Sequence, residues 1–232
     1  RVNMELPFFN HFLKDKGDIS NLKEVNVFDT GSNVWRSFNE FEPTSSIDTA
    51  LYFTKGGGLS FTRPTSVGYN EYVSDPMKPV PYTQKITLNY PRDYMTEDQR
   101  FASTRPDVLV YETAPLESDI TVAGDIKPSL YLSSSGTDSD FIVKLIDVFP
   151  DDYKFPEGKK PPENSAFSVF QPGGYQMLLR GEPMPARFRE GFEKGVPLVP
   201  NKVTYLGFTM PGITHTFKKG HRILVQGQST WF

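Results

Sequence analysis

The run 141–149, Phe-Ile-Val-Lys-Leu-Ile-Asp-Val-Phe, constrains the fold of this chain more than any other stretch. A polar, glycine-containing turn precedes it (Ser133 to Asp140) and Pro150 stops it, which is how a strand is punctuated. Alternation places Phe141, Val143, Leu145, Asp147 and Phe149 on one side and Ile142, Lys144, Ile146 and Val148 on the other. Both sides are largely apolar, so the pattern predicts a central strand covered on both faces. Lys144 and Asp147 interrupt those faces, and ionisable groups in such a place need partners.

The rest of the chain follows the same short-strand rhythm. Strands are predicted at 23–28, 108–112, 120–124, 130–133, 175–180 and 203–210, with short runs in 60–75 broken by Pro64 and Gly68. Gly212 to Gly220 reads as a turn, followed by a last strand from Arg222 to Phe232. Gly56-Gly57-Gly58 reads as a hairpin or loop tip, since no Gly-Lys-Ser/Thr and no helix follow it. Pro76, Pro79 and Pro81 make 75–82 an extended loop. Residues 151–163, charged and proline-rich, read as a surface insertion.

One helix is expected, over residues 4–14. Pro7 suits its first position, Gly17 its cap, and Phe8, Phe9, Phe12 and Leu13 form one apolar side that calls for a neighbouring domain. Eight or more strands with no βαβ alternation give an all-β class, an antiparallel sandwich or jelly roll. At 232 residues, one main domain with an appendage is expected. The opening at Arg1 and the strand running to Phe232 read as cuts in a longer protein.

Several functions are excluded by what the chain lacks. It has no cysteine, hence no thiol nucleophile, disulfide framework or thiolate-held metal. A net charge of −3 with scattered basic residues gives no nucleic-acid footprint. No apolar run approaches the roughly 18 residues of a membrane-spanning helix. Serine hydrolysis needs a nucleophile on a strained turn, and no Gly-x-Ser-x-Gly occurs. His11 reads as a packed or surface residue; His215 and His221 bracket one turn and can meet in space. Neither a His-Glu-x-x-His nor an EF-hand loop is present. Asp138 and Asp140, or Asp151 and Asp152, are the residues that could offer oxygens to calcium, although turn-forming aspartates are commoner. No catalytic residue, metal site or cofactor is assigned. Asp98 with Arg100, and Arg105 with Asp107, read as structural ion pairs around a loop.

Taken together, five stretches resemble the C-terminal domain of the serine hydrolases that include α-amino-acid ester hydrolases, glutaryl-cephalosporin acylases, cocaine esterase and the X-Pro dipeptidyl-peptidases. They are Phe8-Phe9 with Phe12-Leu13-Lys14; Asp98-Gln-Arg100 with Arg105 to Leu109; Gly136 to Phe141 with Lys144 to Asp151; Gly173 to Gln176 with Arg187-Phe-Arg189; and Gly220 to Gln226 running to Trp231-Phe232. Gly173-Gly174, Arg187 and Arg189 look closest to the ester hydrolase and acylase branch. The resemblance implies a galactose-binding-like jelly roll over 21–232, truncated at its end, and makes residues 1–20 the last helix of a preceding α/β-hydrolase domain. It places the nucleophile and its triad upstream, beside a helical cap, and leaves this domain as scaffold, homo-oligomer contact and cleft wall. Tyr90, Tyr94 and Met95 are the candidate wall. Asp98, Arg100, Arg105, Asp107, Asp138, Asp140, Lys144 and Asp147 are the structural motif. Export to a bacterial periplasm or medium is the compartment that the resemblance suggests. The rival reading is a free-standing carbohydrate-binding module, for which Tyr69, Tyr72, Trp35 and Trp231 are the candidate aromatics.

Overall fold

The computed structural model describes residues 2–87, 94–155 and 172–232. Tyr90, and 156–163 of the expected insertion, lie outside them. Among the described residues, helix α1 (Glu5–Lys14) is followed by twelve strands, one short α-helix and two 3-10 turns. The strands are β1 (Val25–Asp29), β2 (Val34–Phe38), β3 (Tyr52–Thr54), β4 (Gly58–Ser60), β5 (Leu109–Glu112), β6 (Ile120–Ile126), β7 (Ser129–Leu132), β8 (Asp140–Val148), β9 (Gln176–Pro185), β10 (Thr204–Gly207), β11 (Met210–Phe217) and β12 (Arg222–Gln228); helix α2 is Arg100–Ser103. A six-stranded sheet runs β3-β4-β5-β12-β8-β9, antiparallel except for the β4–β5 contact. β6 pairs with β11 and closes the core from the opposite side, while β7 with β10, and β1 with β2, form separate two-stranded ribbons. The architecture is an all-β sandwich with a short N-terminal helix.

β8 is central, as its pattern requires. It lies between β12 and β9, and Ile142 through Val148 are all buried. Its odd-numbered side faces β11: Leu145 joins Tyr111, Leu116, Phe217 and Ile223 in the core between the layers. Its even-numbered side is covered by the irregular segment preceding β5 and by the C-terminal tail. There Ile146, Val148 and Leu224 pack with Leu178, Val110 and Trp231, while Val80, Ala102 and Val108 form an adjoining cluster. Burying a side chain such as Ile146, fully enclosed here, contributes about 2–3 kcal/mol.

The loops follow their glycines and asparagines. Gly56 and Gly57 take positive φ between β3 and β4, so the glycine run is a hairpin tip. Asn33 does the same between β1 and β2. The 75–82 loop is held in place: Tyr82 N–H donates to Phe232 O at 2.8 Å, Phe232 N–H to Val80 O at 2.9 Å, and Val80 N–H to Thr230 Oγ1 at 2.7 Å.

Several expectations change, among them the helix cap: the left-handed residue that ends α1 is Asp15 and not Gly17. Residues 212–217 are strand β11 and not a turn, with His215 and Phe217 pointing into the core. Gly212 sits where the β11–β6 register shifts, and a Cβ there would lie 2.4 Å from the Phe41 ring, so close packing and not a turn explains the glycine. Accordingly the single strand expected at 203–210 divides into β10 and the start of β11, while the last strand stops at Gln228. Residues 61–75 carry no strand. Pro7 occupies the third helical position, where its missing N–H costs nothing because the first intrahelical donor is Phe8, bonded to Met4 O at 3.0 Å.

Candidate functional site

The two ionisable groups of β8 organise separate polar centres on its two faces. Lys144 is wholly buried. Its Nζ donates to Gln99 Oε1 at 3.2 Å and sits 5.0 Å from the centre of the Trp231 ring. Gln226, its cross-strand neighbour on β12, donates to Ser103 Oγ at 2.8 Å and Gln99 O at 3.2 Å. Among the described residues no carboxylate joins this group, and desolvation lowers the Lys144 ammonium from 10.5 to about 7. Gly181 is required beside it: a Cβ there would meet Trp231 at 2.9 Å and Lys144 Cγ at 3.2 Å.

On the opposite face Asp147 accepts from His215 Nε2 at 3.1 Å and from His221 Nδ1 at 2.9 Å. Burial pushes its carboxyl up, but these two hydrogen bonds outweigh burial and hold it below the usual carboxylate range. With Nε2–H of His215 donated to the carboxylate, its Nδ1 is left as acceptor for the hydroxyl of Thr30, 2.7 Å away. This hydroxyl–imidazole–carboxylate row resembles a hydrolytic triad in outline. It lacks donors for an oxyanion, because the neighbouring N–H groups of Gly31 and Ser32 both go to Asp29 Oδ1 at 3.1 Å. The row therefore reads as a clasp holding the β1–β2 hairpin onto β11. Asp29 makes the second half of that clasp, accepting also from Thr216 N–H (2.9 Å), Thr216 Oγ1 (2.6 Å) and Arg36 Nε (2.8 Å). The two histidines thus do meet, but on a carboxylate one residue from the end of β8.

The charged pairs singled out in the sequence pin loops. Asp98 Oδ2 accepts from Arg100 Nε at 2.7 Å, and Arg100 reaches Gly173 O at 3.2 Å. Asp98 Oδ1 also accepts from Gln176 N–H at 3.3 Å, so two distant motifs, 98–100 and 173–176, form one junction. Arg105 grips Asp107 with two bonds (2.8 and 2.7 Å) and Lys78 O with a third at 2.9 Å. That guanidinium holds the Asp107 carboxyl below its ordinary range. Asp138 is engaged by Arg187, while Asp140 opens β8 at the surface. Among the described residues no three histidine, aspartate or glutamate side chains gather as metal ligands.

Tyr94 and Met95 stand on a 3-10 turn, Tyr94–Thr96, that lies along β9. Tyr175 fixes the turn by donating its hydroxyl to Thr96 O at 2.6 Å; burial pushes that phenol up to about 12. Tyr94 meets Tyr82 edge to face at 5.5 Å. Between the turn and β9 opens a groove of about 270 Å³, lined by Tyr94, Met95, Leu178, Gly181, Glu182 and Trp231 among others. Arg180 Nε and Trp231 Nε1, on two of its lining residues, are buried without acceptors among the described residues. β9 and the C-terminal segment approach this turn only through the tertiary fold, so nothing in the sequence spacing brings them together.

The four aromatics considered for sugar binding do not share a face. Tyr72 donates to or accepts from Ser229 at 2.6 Å, Trp231 lies over Lys144, Trp35 pairs with Phe28 on the hairpin, and Tyr69 projects alone.

With this geometry in view, known proteins bear on the chain. An aminopeptidase from the marine sediment archaeon Thaumarchaeota archaeon superposes with a TM-score of 0.88 at 39% identity, over 100% of this chain and 37% of that one. An α-amino acid ester hydrolase superposes with a TM-score of 0.84 at 34% identity, over 97% and 36%. Cocaine esterase from Rhodococcus sp. (strain MB1 Bresler) is 28% identical over 241 residues, covering 100% of this chain and 38% of the esterase. The chain thus spans little more than a third of each relative. The family model described as the X-Pro dipeptidyl-peptidase C-terminal non-catalytic domain matches residues 18–230. This β-sandwich, matched over nearly its full length, belongs to the family of X-Pro dipeptidyl-peptidase C-terminal non-catalytic domains.

Proposed function

We propose that this domain supports the catalytic domain of a serine acyl hydrolase acting on amino-acid esters, β-lactam amides or X-Pro peptides, and itself performs no bond cleavage. The observation that carries the reading is α1. Leu6, Phe8, Phe9, Phe12 and Leu13 are each about half exposed or more, and the helix buries no residue against the sandwich. An apolar ridge of that kind belongs against another surface, and in this reading residues 1–20 end an α/β-hydrolase domain while 21–232 form the jelly roll. The activated serine, its base and the oxyanion donors then lie on that other domain. The groove under Tyr94 and Met95 becomes part of the cleft wall. Its apolar lining suits an acyl side group, and the unpaired Trp231 N–H suits an ester or amide carbonyl.

The test uses the full-length protein with Phe9→Ser and Phe12→Ser combined, assayed on p-nitrophenyl esters of amino acids. Loss of most esterase activity, with the near-ultraviolet signal of the sandwich unchanged, is the expected result. Full activity would mean that α1 does not couple the two domains.

A further inference from the structure

We propose that the outer face of the β7–β10 ribbon is a carbohydrate-binding subsite, built on Tyr131 and Tyr205; it is independent of any hydrolase activity. The two tyrosines are direct cross-strand partners. Both point outward, 79% and 52% exposed, while Leu206, the next residue along β10, points inward and is wholly buried. Their ring centres are 5.5 Å apart and the planes are tilted by 56°, so together they form a shallow V.

This face is built, not merely bare. Tyr205 lies back over Gly207, where a Cβ would come within 2.4 Å of its hydroxyl oxygen; only glycine lets the ring settle there. Ser129 Oγ donates to the same oxygen at 3.1 Å. The ring is therefore fixed before any ligand arrives, which lowers the ordering cost of binding.

Beside Tyr205 opens a hollow of about 430 Å³ lined by Arg189, Glu190, Lys202 and Thr204 together with short apolar groups. Arg189 is held rigid by bonds to Ala186 O (3.0 Å) and Val196 O (2.6 Å), and it pairs with Glu190 at 3.3 Å. Charges of both signs with a hydroxyl suit a neutral ligand rich in hydroxyl groups, which can donate to Glu190 and accept from Lys202. Aromatic rings suit the apolar C–H faces of a pyranose. The volume falls in the range of small-ligand sites. A short glycan combines these requirements.

Isothermal titration of the full-length protein with cellohexaose, maltohexaose and chitohexaose tests the subsite. Saturable binding of at least one is expected. Tyr131→Ala and Tyr205→Ala should each weaken it by about tenfold, Tyr205→Phe should retain it, and Trp35→Ala should leave it unchanged. Tyr131 is exposed enough that its truncation reads binding without disturbing the core. Absence of saturable binding to all three sugars, or binding that survives both alanine variants, overturns the proposal. A concentration-dependent dimer in sedimentation that Tyr131→Ala abolishes also overturns it, because the face would then belong to a second copy.

Discussion

Replacing Lys144 with methionine should make the protein more stable at neutral pH and less stable at high pH. The Lys144 ammonium is lowered from 10.5 to about 7 by desolvation. Between those values the unfolded chain holds the proton and the folded chain releases it. Stability therefore rises with pH across that window, by roughly 1.4 kcal/mol per pH unit, and reaches its floor below about pH 7. The whole difference corresponds to about 5 kcal/mol, an order-of-magnitude figure. Methionine is close in volume and carries no charge, so the variant loses this dependence. It also leaves Gln99 Oε1, now bonded to Nζ, without a donor, which costs about 1–3 kcal/mol at every pH. The net expectation is a variant more stable by about 2–4 kcal/mol near pH 7 and less stable by about 1–3 near pH 10. Urea unfolding of both proteins at pH 6.5, 8 and 9.5 reads this directly. Parallel pH profiles would refute the reasoning, since they would mean that Lys144 keeps an ordinary pKa and is not desolvated as described.

Three further outcomes follow from the same geometry. Asp29 is fully buried and held well below its ordinary range: burial would raise it, but bonds from Thr216, Ser32 and Arg36 prevail. Its stabilisation is complete above about pH 4–5 and is lost as pH falls, so Asp29→Ala should cost about 3–5 kcal/mol at pH 7 and flatten the acid limb of the stability profile; an unchanged acid limb would contradict this. Gly31→Ala places a Cβ 1.9 Å from the backbone oxygen of Thr216, so it should release the β1–β2 hairpin and raise hydrogen exchange at Thr216, whereas unaltered exchange would show that the hairpin moves freely. Tyr94→Ala with Met95→Ala should raise KM and alter acyl preference in the full-length enzyme while leaving urea stability within about 1 kcal/mol; unchanged KM and preference would remove these residues from the cleft wall.

What the sequence revealed depended on the range of the signal. β8 was legible because its residues carry their own alternation, and even its two interruptions announced buried partners. The glycine hairpin at Gly56-Gly57 and the salt-bridged pairs Asp98–Arg100 and Arg105–Asp107 were legible because they are local. β11 was misread as a turn because Gly212 and Gly220 were given the same meaning, although only Gly220 has a positive φ. The partners of Lys144 and Asp147 come from positions 45, 68 and 74 residues away, and no spacing rule reaches that far. Thr30, Gln226 and the Tyr131–Tyr205 pair were missed for the same reason. A threonine in a turn, a glutamine in a strand and two scattered tyrosines carry no signal until register places them.

The central claim is that the reactive serine lies outside these 232 residues. Labelling the full-length protein with a fluorophosphonate and mapping the adduct by peptide mass spectrometry tests it most directly. The account predicts one adduct, on a serine of the catalytic domain, and none on any peptide from residues 1–232. An adduct within them, above all at Thr30 beside His215, would mean that the Asp147–His215–Thr30 row activates a nucleophile, and that the domain takes part in the chemistry it is here held to support.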